Sequence, residues 1–152
     1  YLRIGKAGEP ILTAEAPETF KFGEIRQIKE GAGTAIIGYG PILSMAFDAA
    51  ESHKQKNGIE TAIFSAHTIK PLDVKRVKSI LTEYRKLVVV EETTPYGSLA
   101  GQIKQIAWDL KPDCEILSVG LKDEFIKCYG SKLELLKAHG LSVDVILKLL
   151  AN

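Results

Sequence analysis

The residues of this chain that could do chemistry stand where apolar, strand-like runs end. His67 follows such a run in the stretch FSAHTIKPLD, Glu91 and Glu92 close the run LVVVEE, and a third run ends in the turn Gly38–Gly40. A histidine can transfer a proton or contact an anion. A carboxylate pair can serve acid–base catalysis, and a glycine turn before a helix can hold phosphate.

Each of these motifs also has a structural interpretation. The Gly38–Gly40 turn lacks the third glycine of a dinucleotide-binding loop and is followed by Pro41, so we expect its glycines to permit a tight turn. The pair Glu91 and Glu92 has no titratable partner in its own loop. We expect one of the two to accept hydrogen bonds at the start of the next helix. The residues therefore predict no catalytic residue and no metal site.

Two further histidines lie within predicted helices. His53 falls in the middle of a polar helix face, and His139 falls in the last turn before Gly140, where a histidine complements the helix C-terminus. We expect both to be structural or exposed.

Composition restricts the classes of protein that fit. The chain has 152 residues, of which 45% are hydrophobic, enough for one domain with a buried core. Charged residues make up 26%, the formal net charge is +1, and neither sign forms a long block, which argues against nucleic-acid and membrane partners. The two cysteines form no CxxC motif, and the apolar runs are too short to cross a bilayer. These features predict a soluble, cytoplasmic protein.

The order of apolar runs predicts an α/β domain. Residues 5–21 are loop-like, and the chain then alternates strands and helices four times, which requires crossover connections and a mostly parallel sheet with helices on both faces. The first two strands are separated by a turn-prone segment and could form a hairpin. The predicted strands are 24–29, 34–39, 60–66, 87–91 and 115–119, and the predicted helices are 41–57, 74–84, 98–110, 131–140 and 143–150.

Five stretches of the chain, taken in their order along the sequence, resemble one protein family. They are GTAIIGYGPILSMAFDAAE, GIETAIFSAHTIKPLD, LVVVEE, VGLKDEFIKCYGS and LLKAHGLSVDVI. In this order they resemble the C-terminal domain of the transketolase superfamily of thiamine diphosphate enzymes, from residue 31 to residue 150. The pattern GL-x-D-x-F-I is more similar to 1-deoxyxylulose-5-phosphate synthase and the split transketolases than to the β subunit of 2-oxo acid dehydrogenases.

The resemblance implies a fold and a domain division. The fold is a three-layer α/β/α domain on a five-stranded mixed sheet, with four parallel strands and an antiparallel edge strand formed by residues 24–29. The opening YLRIG has no initial Met and looks like the end of a pyrimidine-binding domain. Residues 1–21 would then be the end of the preceding domain and a linker, and residues 22–152 the C-terminal domain.

The resemblance also implies a function for a longer protein. That protein would be a thiamine diphosphate-dependent transferase, with the cofactor and Mg²⁺ held by domains absent here and no cofactor in this chain. Its partners would be its own pyrimidine- and pyrophosphate-binding domains or subunits, in a homodimer. The present domain would contribute to dimerisation and to the edge of the sugar-phosphate site, and would be inactive alone.

Two substrate-binding residues follow from the resemblance. Arg3 matches an arginine that pairs with the substrate's phosphate in the sugar-phosphate enzymes, a contact suited to a guanidinium group. His67 stands where the synthases have an arginine that contacts the same phosphate. A neutral histidine donates to phosphate only weakly, so this departure leaves the substrate open.

Two other classes remain open from the sequence. The chain could be a subunit-docking interaction module of a 2-oxo acid dehydrogenase β-type subunit, which an exposed apolar patch near Tyr96–Gly101 would favour. It could also be a free-standing nucleotide-binding domain, which predicts measurable affinity for nucleotides.

Overall fold

The structure is a computed structural model, and it describes residues 1–2, 4 and 8–151. The described strands are β1 (Arg26–Lys29), β2 (Thr34–Gly38), β3 (Ala62–Ser65), β4 (Lys86–Val90) and β5 (Glu115–Val119). The helices are α1 (Leu43–Asn57), preceded by a 3-10 turn (Gly40–Ile42), α2 (Val74–Glu83), α3 (Leu99–Leu110), α4 (Lys132–Ala138) and α5 (Val143–Ala151). Each predicted element is present, with bounds that differ by at most two residues at an end.

The five strands form one mixed sheet in the order β1-β3-β2-β4-β5. Strands β2 to β5 are parallel, and β1 is antiparallel to β3, with Arg26 opposite Ser65. The predicted α/β class, with four parallel strands and an antiparallel edge strand, is confirmed.

The hairpin expected between the first two strands is wrong. Strand β1 pairs with β3, and β2 lies between β3 and β4. The residues of β2 are apolar on both faces and almost fully buried, so β2 is most stable where both neighbouring strands complete its hydrogen bonds. The half-polar β1 takes the edge, and Ala32 in the connection donates to the carbonyl of Glu60.

Helices cover both faces of the sheet. One core joins α1, α5 and part of α4 to one face, and a second core joins α2 and α3 to the other. This is the three-layer arrangement that the alternating pattern predicts. The described residues include no helix that is both long and apolar enough to cross a membrane.

The predicted helix caps are confirmed. The side chain of Asp73 accepts from the backbone N–H of Arg76 at 2.9 Å at the start of α2. Ser131 and Glu134 form the capping box that the sequence SKLE predicts for α4. Such caps satisfy N–H groups that have no partner inside the helix.

Glu60 joins two elements at the amino end of the sheet. Its carboxylate lies 2.7 Å from Nζ of Lys29 and 2.5 Å from Nζ of Lys54. The hydrogen bonds from Lys29 and then Lys54 lower the pKa of Glu60 to about 2. Because this pKa is depressed in the folded state, the pairing stabilises the fold above the unfolded pKa and is lost as the pH falls towards 2.

Replacing Lys29 by Met is expected to raise the pKa of Glu60 by roughly one unit, since one of its two ammonium partners is removed. Carboxyl-carbon NMR titration measures this directly. The variant Lys132→Met, which removes a lysine that pairs with Glu92, should leave the titration of Glu60 unchanged. An unchanged pKa of Glu60 in the Lys29→Met variant would contradict the pairing of Glu60 with Lys29.

Candidate functional site

The loops at the carboxyl ends of the parallel strands define the candidate site. They follow β2 (residues 38–41), β3 (65–73), β4 (91–98) and β5 (120–125), and ligands of open α/β sheets usually bind at this edge. The loops after β3 and β4 carry His67 and the pair Glu91 and Glu92.

The loop after β3 binds the backbone of the segment that leads into β1. Nε2 of His67 lies 3.1 Å from the carbonyl oxygen of Lys21. Thr68 Oγ1 accepts from the N–H of Gly23 at 3.2 Å, and Asp73 Oδ2 accepts from the N–H of Ile25 at 3.1 Å. Three side chains thus bind the backbone of residues 21, 23 and 25, in a turn where the N–H of Glu24 also donates to the carbonyl of Lys21.

His67 therefore has a structural partner. A carbonyl oxygen can only accept, so Nε2 carries the proton in this contact. The ring of Phe20 lies 4.6 Å from the imidazole, centroid to centroid. Arg3, the other predicted substrate-binding residue, lies outside the described residues, so its contact with the substrate's phosphate stays a prediction.

The segment before residue 20 also contacts the edge strand. The carboxylate of Glu18 accepts from the N–H of Gln27 at 2.7 Å and from Nη2 of Arg76 at 2.9 Å, and its carbonyl accepts from Nε of Arg26. An N–H group on an edge strand would otherwise be open to pairing with another chain. The sequence predicts a linker here, and Glu18, with Glu15 and Lys21 three positions away on either side, does not stand out as an anchor.

Glu91 fills the role expected for one of the two glutamates. It is buried, and its carboxylate accepts from the N–H groups of Leu99 at 2.9 Å and Ala100 at 3.0 Å at the start of α3. The hydroxyl of Tyr39 lies 3.5 Å from the same carboxylate. Both oxygens are thus held by the fold, which favours a structural role over catalysis.

The Gly38–Gly40 turn does not form a phosphate loop. A Cβ added at Gly38 would lie 2.5 Å from the carbonyl oxygen of Val90, so the neighbouring strand occupies the space a side chain would need. Gly40 has a φ of 69°, which favours glycine. Pro41, in the 3-10 turn that leads into α1, has no N–H to offer a ligand.

Two cavities lie away from His67. One, of about 1240 Å³, lies between residues 11–17 and the edge strand β1. The other, of about 380 Å³, lies beyond the ends of β4 and β5 and is lined by Leu121, Ile126 and Leu136 among others. Glu92, the second glutamate of the pair, lines this smaller cavity and lies 3.4 Å from Nζ of Lys132.

The described residues bring together no group of three or more His, Cys, Asp or Glu side chains that could hold a metal ion. Of the two cysteines, Cys114 is partly buried, and burial together with the nearby Glu115 raises the pKa of its thiol. A raised pKa disfavours the thiolate that a nucleophile needs.

Two substitutions in the loop after β3 test how much its contacts stabilise the fold. Replacing Asp73 by Ala removes a helix cap and the acceptor for Ile25, so we expect a loss of about 2 kcal/mol in the free energy of unfolding. The matched variant His67→Ala loses one partly exposed contact and should cost less than about 1 kcal/mol. Urea denaturation measures the free energy of unfolding of both variants. Equal losses in the two would contradict the larger role that we assign to Asp73.

The chain matches a family model and several known proteins. The model described as "Transketolase, C-terminal domain" matches residues 23–146. The 1-deoxy-D-xylulose-5-phosphate synthases of Clostridium tetani and Clostridium acetobutylicum are 26% and 30% identical to 93% and 97% of this chain, which covers 22% and 24% of their lengths. The chain therefore spans about a quarter of these relatives.

Solved structures share the fold. A structure titled as an inactive β4 tetramer of a split-gene transketolase superposes with a TM-score of 0.82 at 22% identity, over 95% of this chain and 46% of that one. The transketolase of Campylobacter jejuni superposes with a TM-score of 0.61 at 15% identity, over 90% of this chain and 20% of that one. The family model covers all five strands and every helix except the end of α5, and the chain belongs to the transketolase C-terminal domain family.

Proposed function

We propose that this chain is the C-terminal domain of a longer transketolase-like, thiamine diphosphate-dependent transferase, called the parent protein below. The observation that carries the proposal is the family match over residues 23–146, together with synthase relatives about four times as long. Residues 1–21 belong to the end of the preceding domain and its linker, and residues 22–152 form the domain itself.

In this proposal the chemistry lies outside the chain. Thiamine diphosphate and Mg²⁺ are bound by the pyrimidine- and pyrophosphate-binding domains or subunits, and the cofactor supplies the carbanion chemistry when it is bound. This domain contributes to a dimer and to the outer edge of the sugar-phosphate site. It is inactive alone and works in the cytoplasm.

Arg3 and His67 are the proposed contacts to the substrate's phosphate. The guanidinium group of Arg3 can bind two phosphate oxygens at once. Nε2 of His67 donates to the carbonyl of Lys21, so any phosphate contact of His67 falls to Nδ1, which donates only when the imidazole is protonated. Arg3 is therefore the stronger of the two candidates.

Steady-state kinetics of the parent protein test this role. Arg3→Ala is expected to raise the Michaelis constant for the sugar phosphate about tenfold or more, because a charge-assisted hydrogen bond to the phosphate is lost. Arg3→Lys keeps the charge without the planar pair of donors, so its Michaelis constant should lie between those of the wild type and Arg3→Ala. His67→Ala should change the constant by less than Arg3→Ala does.

Two outcomes separate the parts of the proposal. A Michaelis constant unchanged by Arg3→Ala would remove the anchor role and leave the family function standing. A parent protein that binds no thiamine diphosphate in calorimetry would contradict the function itself.

The segment Tyr96–Gly101 does not form the exposed apolar patch that would favour the docking-module alternative. Tyr96 is exposed, but Ser98, Leu99 and Ala100 are buried in the domain's own packing. The segment Tyr96–Gly101 therefore offers one exposed aromatic ring rather than a continuous apolar patch.

A further inference from the structure

The smaller cavity, of about 380 Å³, lies beyond the carboxyl ends of β4 and β5, at the edge where ligands of α/β sheets usually bind. One wall is a single face of α4 and its C-cap residue, because these lining residues are spaced as neighbours along one side of a helix. The loops after β4 and β5 complete the lining. The residues from α4 and its cap are Lys132, Leu135, Leu136 and His139, and those from the loops are Glu92, Leu121 and Ile126.

Most of this lining is aliphatic. Small-molecule sites are mainly apolar cavities of about 300–1,000 Å³ with a few polar groups that converge on the ligand. The cavity fits this description near the lower end of the range, with four aliphatic and three titratable lining residues. Its size and composition therefore suit a small ligand that has an aliphatic part and few polar groups.

Two opposite charges line the cavity. Nζ of Lys132 lies 3.4 Å from Oε2 of Glu92, and the two side chains are 52% and 22% exposed. A tight charge-assisted hydrogen bond is about 2.8 Å long, so this pair is loose and both groups keep the capacity to bind a ligand. A ligand with one charge would be attracted by one group and repelled by the other. A ligand that carries both an ammonium and a carboxylate group complements both.

His139 adds a polar group that lacks a partner. The residue is 8% exposed, and its backbone N–H donates to the carbonyl of Leu135 at the end of α4. Among the residues that the structure describes, its Nδ1 is the only buried side-chain nitrogen or oxygen without a hydrogen-bond partner. Such groups are rare in native proteins, and an exception indicates a place that a water molecule or a ligand completes.

We propose that this cavity binds a small α-amino acid with an aliphatic side chain. Its ammonium group contacts the carboxylate of Glu92, and its carboxylate contacts Nζ of Lys132. The aliphatic side chain packs among the leucines and Ile126, and the imidazole of His139 supplies a third polar contact. The inference is independent of the proposed function, because every group that it needs belongs to the described residues of this chain.

NMR titration of this chain tests the site with L-leucine as the probe. L-leucine should shift the amide signals of residues 121–126 and 132–139 in a saturable way, with a dissociation constant of about a millimolar or lower. Isocaproate and isoamylamine keep the aliphatic part of leucine with only one of its two charges. Each should bind at least about fivefold more weakly, because it leaves Glu92 or Lys132 without a matching group.

Three variants locate the binding. Lys132→Met should weaken the binding of L-leucine by about fivefold or more, since its carboxylate loses a partner, and should not weaken the binding of isoamylamine. His139→Leu should weaken L-leucine as well. Lys122→Met is the matched control, because it removes a nearby lysine that pairs with Glu124 and does not line the cavity. Lys132 is half-exposed, so Lys132→Met should melt at the wild-type temperature.

Three results would overturn the inference. They are the absence of saturable shifts with L-leucine, equal affinities for L-leucine and isocaproate, and an affinity for L-leucine that neither Lys132→Met nor His139→Leu changes. A His139→Leu protein that is more stable than the wild type and binds L-leucine equally well would assign His139 to packing alone and contradict its contact with the ligand. A parent protein that binds no thiamine diphosphate would contradict the proposed function and leave this inference standing.

Discussion

Replacing Glu91 by Ala is expected to lower the free energy of unfolding by about 3 kcal/mol. Glu91 is 3% exposed, and its carboxylate accepts from the N–H groups of Leu99 and Ala100. Alanine would leave both buried donors without a partner, and the remaining cap of α3, Ser98, already accepts from Gly101. The negative charge that favours a helix N-terminus would also be lost.

Two matched variants locate the effect. Glu91→Gln keeps one acceptor oxygen without the charge, so we expect a loss between those of the wild type and Glu91→Ala. Glu92→Ala removes the neighbouring carboxylate, which is partly exposed and pairs with the half-exposed Lys132, and should cost less than about 1 kcal/mol. Urea denaturation measures all three. A Glu91→Ala protein as stable as Glu92→Ala would contradict the capping role.

The elements of the fold could be predicted because their signals are local. The runs around Val88 and Ile36 are apolar on both faces, as buried parallel strands are, and Asp73 and Ser131 are residue types that begin helices. These signals need only neighbours in the sequence. Capping of α3 by one of the two glutamates was predicted for the same reason, since Glu91, which does so, and the helix start are only eight residues apart.

The pairing of the first strand could not be predicted in this way. A turn-prone segment before β2 fits a hairpin, yet β1 pairs with β3. Arg26 lies opposite Ser65, 39 positions further along the chain. Such a pairing depends on which strand needs two neighbours, and that is a property of the whole sheet.

His53 shows the same limit for a single residue. Its neighbours in the sequence are polar, so the pattern predicts a polar face, but the imidazole is 1% exposed and its Nδ1 lies 3.1 Å from Oγ1 of Thr61. Burial, and to a smaller extent Lys86, lowers the pKa of His53. The sequence predicts that His67 lies at the end of β3. It does not predict the contact with the carbonyl of Lys21, because Lys21 lies 46 positions earlier in the chain.

Gly38→Ala is expected to destabilise the protein by roughly 3 kcal/mol, the upper part of the usual range for overpacking. The new Cβ would lie 2.5 Å from the carbonyl oxygen of Val90 and 3.2 Å from Cδ2 of Leu43. The carbonyl belongs to the backbone of β4, which is paired with β2 along its whole length. Relief of the clash therefore requires the two central strands to separate locally.

Gly40→Ala provides the comparison, since Gly40 lies in the same turn and a Cβ there would meet no atom within 4 Å. Its positive φ of 69° makes alanine cost about 1 kcal/mol. Thermal and urea unfolding of the two variants should therefore rank Gly38→Ala as the less stable. If the first glycine served a bound phosphate rather than strand packing, Gly38→Ala would unfold like the wild type, and that result would contradict our assignment of the turn.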